Sequence, residues 1–467
     1  MRNRRLIILL IVTAVLFSIV PVTASAEFGG TVNSDHVLMM DLDSGLIIYE
    51  KDAYSMAFPA STTKIMTCIV VLENCDNLRD KIEISKIVND FGKGNSLMGL
   101  SAGDKVRVKD LLYGLMLPSG NDAAAVLAEH FGGGYEGFAE MMNVKAKELG
   151  MENTHYVNPH GLHDEEHYTT AYDMAILVRY AMQNGDFKAI VCTPSYACPS
   201  TDKMEERTLY NSNRFLNPKE KNKDYNWSAV TGVKTGFTNN AGGCLVTTAS
   251  RNGKNLLCVI LGDRSDGQEG RWSESRALLE YGFETLTTAE ISELGIPEQT
   301  ISVPNAASDD AENGMLALTL GDSSSTVTLT KDMLGAIASG AARVEVDIEL
   351  DGVVSAPIAS NQKMGTATIS YNGNTLGTVD VFASRAVVEK QEAAASESPS
   401  GSPDGNSLIG GPPSVISGQG PSVYLIVAAV IIVLMILLVI FRIKNRRRRK
   451  RRHNDTTSRR RKQDNVI

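Results

Sequence analysis

Nineteen consecutive residues without a charge, Val423 to Phe441, are followed at once by Arg442, Lys444 and the unbroken basic run Arg446 to Arg452. As a helix, a run of this length spans about 28 Å, close to the hydrocarbon thickness of a bilayer. A helix buried in a water-soluble core would not be flanked in this way, so residues 422–441 read as a transmembrane helix. The positive-inside bias then places residues 442–467 in the cytoplasm and the bulk of the chain outside it. The anchor already accounts for the charge of this tail, without lipid or nucleic-acid binding.

The other end agrees. Arg2, Arg4 and Arg5 precede an apolar run from Leu6 to Val22, and Ala24-Ser25-Ala26 supplies the small residues of a cleavage site. Residues 1–26 therefore read as a signal peptide, with the mature chain beginning near Glu27. The whole sequence has a net charge of -8, but the tail carries 13 Lys or Arg and 2 Asp or Glu, and the leader 3 Arg. What remains holds 30 basic and 52 acidic residues, a net of -22. A general electrostatic footprint for nucleic acid, which needs a basic face, is excluded for this part.

Six cysteines (Cys68, Cys75, Cys192, Cys198, Cys244 and Cys258) are too sparse for a disulfide scaffold, and no C-x-x-C spacing occurs. Cys68 and Cys75, seven apart on a helical pattern, would stand about 10 Å apart along its axis, too far to bridge. Pairing of Cys192 with Cys198 stays open.

The exported part divides by texture. Over residues 27–294, Val37 to Met40 and Leu46 to Tyr49 flank the turn Asp43-Ser44-Gly45 as a hairpin. Helical periodicity follows in Thr62 to Leu72, Val108 to Met116, Ala123 to Phe131, Phe138 to Leu149 and Ala171 to Met182. A buried strand, Asn255 to Leu261, then precedes a helix over Glu274 to Tyr281. Residues 295–388 change to short alternating strands, among them Thr326 to Thr330, Arg343 to Leu350, Gly365 to Tyr371 and Thr378 to Phe382, which predict a small all-β domain. Residues 389–421 are dominated by Ser, Gly, Pro and Ala, the composition of a flexible stalk.

The chemistry starts at Pro59-Ala60-Ser61-Thr62-Thr63-Lys64, where an apolar helical run begins. At a spacing of i, i+3 the side chains of Ser61 and Lys64 share one helix face, so the amine can reach the hydroxyl. The helix N-terminus favours negative charge developing at the serine. A charged lysine is no base, but burial and cationic neighbours can lower its pKa until it accepts the proton. Taken alone, Ser61 could equally be an N-cap, Ser119-Gly120-Asn121 a turn and cap, and Lys234-Thr235-Gly236 an exposed strand ending in a turn. In order, at separations of 58 and 115 residues between first positions, the three form the motif set of the serine penicillin-recognising enzymes.

The resemblance is closest to the low-molecular-mass penicillin-binding proteins that are D-alanyl-D-alanine carboxypeptidases. It extends through Asp41-Leu42-Asp43-Ser44-Gly45, Asn158-Pro159-His160-Gly161-Leu162, Tyr168-Thr169-Thr170-Ala171-Tyr172-Asp173-Met174, Asn211-Ser212-Asn213-Arg214 and Gly232-Val233-Lys234-Thr235-Gly236-Phe237-Thr238. It implies an α/β (α+β) penicillin-binding or β-lactamase-like transpeptidase domain, with a mixed sheet and a helical cluster, followed by the β domain and the anchor. It also implies the roles. Ser61 is the nucleophile and Lys64 the general base; Ser119 relays the proton to the leaving amine, and Asn121 holds the substrate amide. Lys234 and Thr235 take the free carboxylate, and the backbone N–H groups of Ser61 and Phe237, beside Gly236, form the oxyanion hole. The partners so implied are peptidoglycan stem peptides ending in D-Ala-D-Ala and β-lactams, with no metal or cofactor.

Three alternatives remain. A class A β-lactamase would need a glutamate to activate water, and the nearest candidate, Glu206-Arg207-Thr208-Leu209-Tyr210, has Tyr where Asn belongs and lies too near Lys234. D,D-endopeptidase activity could use the same site. A wall-fragment receptor is disfavoured by the short basic tail and the intact nucleophile. One departure from the better-known members is the spanning anchor, where theirs often lies on the membrane surface. Phe237 is a variable position: an aromatic after Lys-Thr-Gly fits the family, and where other members carry His the side chain could tune turnover.

Overall fold

The computed structural model describes residues 28–322 and 324–390. The expected leader, span and tail, and nearly all of the stalk, lie outside these residues. Among the described residues no helix is long and apolar enough to cross a membrane.

Strands β1 (His36–Asp41) and β2 (Ile47–Lys51) form the expected hairpin around Asp43-Ser44-Gly45. Two short ribbons follow, β3 (Lys81–Glu83) with β4 (Lys105–Arg107) and β5 (Ser195–Cys198) with β6 (Arg207–Tyr210). Strands β7 (Val230–Thr238), β8 (Gly242–Arg251) and β9 (Lys254–Asp263) complete the central sheet in the order β2-β1-β9-β8-β7. All of its pairings are antiparallel, which corrects the mixed sheet implied by resemblance. The reason is local: connections as short as those between β7, β8 and β9 can only reverse the chain. Asn252 and Gly253, at φ 53° and 78°, make the two-residue turn between β8 and β9, where both positions need a left-handed backbone.

Both faces of this sheet are buried, so its strands read as apolar runs rather than alternating ones. One face (Leu38, Met40, Leu257, Val259, Leu261) meets a cluster of helices: α1 (Lys64–Glu73), α2 (Val108–Met116), α3 (Asn121–Gly132), α4 (Tyr135–Glu148), α5 (Ala171–Ala181) and α6 (Gly185–Val191). Helix α1 is apolar nearly all round, and every residue from Lys64 to Val71 is buried, so it forms the centre of the helical cluster. Each large apolar side chain buried here contributes roughly 1.5–3 kcal/mol. A core helix of this kind places its first turn, and the serine before it, on a rigid base.

The opposite face (Val37, Met39, Leu256, Cys258, Ile260) is covered by α7 (Gly270–Thr285). The same apolar cluster continues through Leu286 and Ala289 of β10 (Leu286–Glu290) into Val327 and Leu329 of β13 (Thr326–Thr330), its antiparallel partner. It then reaches Ile369, Tyr371 and Leu376 in a second five-stranded sheet. That sheet orders β11 (Gln299–Ser302), β12 (Met315–Leu320), β16 (Asn374–Ala383), β15 (Lys363–Tyr371) and β14 (Glu345–Leu350). The region is not all-β, however, because Lys331–Ala338 forms a helix, α8. Its N-cap Thr330 accepts from the Met333 amide and Asp332 stands in the first turn, so local capping overrides the surrounding strand pattern. All six cysteines are free thiols, with Cys192 exposed and Cys198 buried.

Candidate active site

The chain enters α1 through a 3-10 turn, Ala60–Thr63, that contains Ser61. The residues capping the turn and the helix are Pro59 and Thr63, and neither cap uses a side-chain hydrogen bond. Ser61 is therefore not an N-cap. Its Oγ lies 3.0 Å from Lys64 Nζ, one turn further on.

Lys64 is 0 % exposed. Its amine also contacts Asn121 Oδ1 at 2.7 Å and the His160 carbonyl oxygen at 2.6 Å. Burial holds its pKa well below the usual lysine range, and the charge of Lys234 lowers it further, against a smaller opposing effect of Asp122. The neutral amine has two N–H groups and one lone pair. Asn121 Oδ1 and the His160 carbonyl can only accept, so they take the two N–H groups and leave the lone pair facing the Ser61 hydroxyl.

The second motif begins α3. Asn121 is its first residue and Gly120 its cap, so Ser119 does not cap the helix. Ser119 takes a left-handed backbone at φ 66°, and its buried Oγ has no hydrogen-bond partner among the described residues. Asn121 is oriented from behind, since its Nδ2 donates to Asn95 Oδ1 at 3.0 Å, leaving Oδ1 for Lys64. Asp122 fastens the loop that supplies Asn95: its carboxylate accepts the amides of Met98, Gly99 and Leu100 at 2.8, 2.8 and 3.0 Å.

The third motif lies on β7, the edge strand of the sheet, alongside the Ser61 turn. A Cβ on Gly236 would fall 3.0 Å from the Ser61 amide nitrogen and 3.2 Å from the Pro59 oxygen, so any side chain there would push the turn and the strand apart. Lys234 is 1 % exposed and donates to its neighbour's carbonyl, Thr235 O, at 2.9 Å. Burial, followed by the Arg271 charge, brings its pKa down to about 7. Thr235 Oγ1 pairs with Ser212 Oγ at 2.9 Å. Arg271, near the start of α7, donates to the Gly236 carbonyl at 2.9 Å. Phe237 follows as an exposed residue, at 47 %.

The three motifs thus meet: Ser61 and Asn121 each within hydrogen-bond distance of Lys64, Gly236 against Ser61, and Lys234 close enough for its charge to act on Lys64. Sequence reasoning missed the His160 carbonyl, Asn95, Asp122, Ser212 and Arg271. Asp122 directly follows the second motif, and His160 and Ser212 lie in the family-like stretches. Nothing in the sequence points to Asn95 or Arg271.

A helical cluster on a five-stranded antiparallel sheet, with a serine and a buried lysine at the head of the central helix, defines the serine penicillin-recognising class. Within that class the chain belongs to the D-alanyl-D-alanine carboxypeptidase family, whose profile matches residues 21–265. The profile of the penicillin-binding protein 5 C-terminal domain matches residues 324–389. The chain is similar to D-alanyl-D-alanine carboxypeptidase DacF of Bacillus subtilis, 29 % identical over 391 residues that cover 81 % of this chain and 94 % of that one. It is also similar to DacC of Escherichia coli, 31 % identical over 388 residues, covering 78 % and 87 %. Among solved structures, penicillin-binding protein 5 from Haemophilus influenzae superposes with a TM-score of 0.58 at 27 % identity, covering 77 % of this chain and 99 % of that one.

Proposed function

We propose that the chain is a serine-type D-Ala-D-Ala carboxypeptidase that removes the terminal D-alanine from peptidoglycan stem pentapeptides through an acyl-enzyme on Ser61. The observation that carries this reading is the Lys64 amine, fully buried, with two hydrogen-bond acceptors for its N–H groups and its third direction 3.0 Å from Ser61 Oγ.

In the first step Ser61 Oγ attacks the carbonyl of the D-Ala-D-Ala bond as its proton passes to Lys64. The oxyanion that forms is held by the backbone N–H groups of Ser61 and Phe237. The C–N bond then breaks, and D-alanine leaves with a proton relayed from Lys64 through Ser119. Asn121 holds the substrate amide. The free carboxylate that distinguishes an exopeptidase substrate takes a charge-assisted hydrogen bond from Lys234 and a second bond from Thr235. Water hydrolyses the ester and returns Ser61 and Lys64 to their starting states. A β-lactam, which presents a similar carbonyl and carboxylate, acylates the same serine.

The cellular setting rests on the sequence: a signal peptide over residues 1–26 directs export, and a single span over 422–441 then holds the catalytic part outside the cytoplasmic face, beside its wall substrate. The β-lactamase alternative finds no support at Glu206, which is exposed ahead of β6. Incubation of the purified protein with a synthetic pentapeptide ending in D-Ala-D-Ala is expected to release D-alanine, and the Ser61→Ala variant to release none. No release from the parent, or equal release from both, overturns the assignment; rapid turnover of penicillin would instead favour a β-lactamase.

A further inference from the structure

Ala60, the residue before Ser61, holds a left-handed backbone at φ 47°, a conformation its Cβ disfavours. Such a backbone persists only where its surroundings over-determine it. On one side, Gly161 lies so close that a Cβ there would stand 1.8 Å from the Ala60 carbonyl oxygen. On the other, that oxygen accepts from Thr63 Oγ1 at 2.8 Å.

Thr63 is held in turn. Its Oγ1 lies 2.8 Å from Nε2 of His167, which is 104 residues away in sequence and 2 % exposed. The Val157 amide donates to His167 Nδ1 at 3.1 Å. An amide N–H can only donate, so Nδ1 is an acceptor and the neutral ring carries its proton on Nε2. Nε2–H therefore donates to Thr63 Oγ1, and the Thr63 proton is directed to the Ala60 carbonyl. Burial keeps the ring neutral, bringing its pKa down to about 4. The edge of the pair is closed by Tyr156, whose ring meets His167 at 5.5 Å between centroids.

We infer that His167 is a positioning residue for Ser61: by donating to Thr63 it fixes the hydroxyl that holds the Ala60 carbonyl, and with it the turn that aims the nucleophile. This rests on the assignment of Ser61 as nucleophile. His167 touches no reacting atom. It acts through a chain of two hydrogen bonds, ending at the peptide whose nitrogen belongs to Ser61.

The test measures acylation by a fluorescent penicillin and D-alanine release from the pentapeptide, using the full chain in detergent. Thr63→Val and His167→Leu are expected to acylate on the order of ten- to a hundredfold more slowly, as for a modest misplacement of a reacting group. KM for the pentapeptide should stay within about twofold, since substrate contacts are unchanged. Thr63→Ser and His167→Gln, which keep the hydroxyl and the donor, should recover most of the rate. The double variant Thr63→Val/His167→Leu should be no slower than the slower single, because both break one chain. Acylation of Thr63→Val at the parent rate, or singles that multiply in the double, overturns the inference. If His167→Leu does not fold, the comparison of Thr63→Val with Thr63→Ser at matched thermal midpoints decides. Labelling of Ser61→Ala would instead remove the nucleophile assignment itself, and the inference with it.

Discussion

Lys64 Nζ and Asn121 Oδ1 are 2.7 Å apart, in a site where the amide oxygen is aimed by the bond that Asn121 Nδ2 donates to Asn95 Oδ1. An amide oxygen accepts an N–H without demanding a positive charge, which suits an amine that must be neutral to work. Asn121→Asp places a carboxylate at that distance and favours the ammonium form. Penicillin acylation at pH 7 is expected to fall by on the order of a hundredfold, the scale of a lost general base. The deficit relative to the parent should shrink at alkaline pH, as Lys64 of the variant loses its proton while the Lys234 limb affects both proteins alike. A stopped-flow pH profile of both proteins distinguishes this from simple loss of a contact.

Lys234, at a pKa of about 7, sets a limit on the alkaline side. Above that pH its ammonium loses a proton and no longer attracts the substrate carboxylate, so kcat/KM should fall. The acid limb belongs to Lys64, which must lose its proton before it can act. In Lys234→Arg the guanidinium stays charged, and the alkaline limb should move beyond the measurable range even if the maximum drops.

The same lysine makes stability depend on pH. Its folded pKa lies below the ordinary 10.5, so the unfolded chain binds more protons between about 7 and 10.5, and stability rises with pH across that window. Lys234→Met should raise the unfolding free energy by a few kcal/mol at pH 6, where the buried charge is fully present. That gain should shrink as the pH approaches 10.5. Urea unfolding at the two pH values measures it. A variant that is stabilised yet inactive would identify Lys234 as a group kept for function.

Gly236→Ala tests the closeness of β7 to the Ser61 turn. The added Cβ meets backbone at 3.0 and 3.2 Å, neither of which can rotate away. The strand must shift outward, at about 1–3 kcal/mol of stability. Acylation should slow more than unfolding accelerates, because Ser61 and the Phe237 amide move relative to each other. Thermal unfolding and labelling rates, measured together, separate the two effects.

Asp122→Ala removes the acceptor of three loop amides. Unfolding free energy is expected to fall by roughly 3 kcal/mol, from charge-assisted bonds lost and amides left unpaired. The loop carrying Asn95 should loosen, seen as faster hydrogen exchange at residues 95–100 and slower labelling of Ser61.

Much of this was legible in the sequence. The helix over Val108–Met116 and the strand over Thr326–Thr330 occupy the residues their periodicity marks. The three motifs converge because each is short, ordered and made of residues whose chemistry requires the others. What the sequence hid has physical causes. Helices α6 and α8 are short and set by caps, Asn184 and Thr330, rather than by long periodicity. The mixed sheet came from resemblance, whereas the two-residue connection at Asn252 and Gly253 imposes reversal. Asn95, Arg271 and His167 act through single bonds across 26, 35 and 104 residues, and no local pattern records such a pairing.

The apolar cluster that runs from Met39 through Phe283 and Leu329 to Ile369 leaves the described residues, 28–390, without a seam between the catalytic and β regions. A cut at the change of sequence texture near Gly295 would leave β10 without its partner and bare Leu286 and Ala289. Heating should accordingly give one calorimetric peak for residues 28–390, and the catalytic half expressed alone should be sticky in solution. The β domain that the sequence marks off by texture thus extends the same apolar cluster that α7 forms with the back of the catalytic sheet.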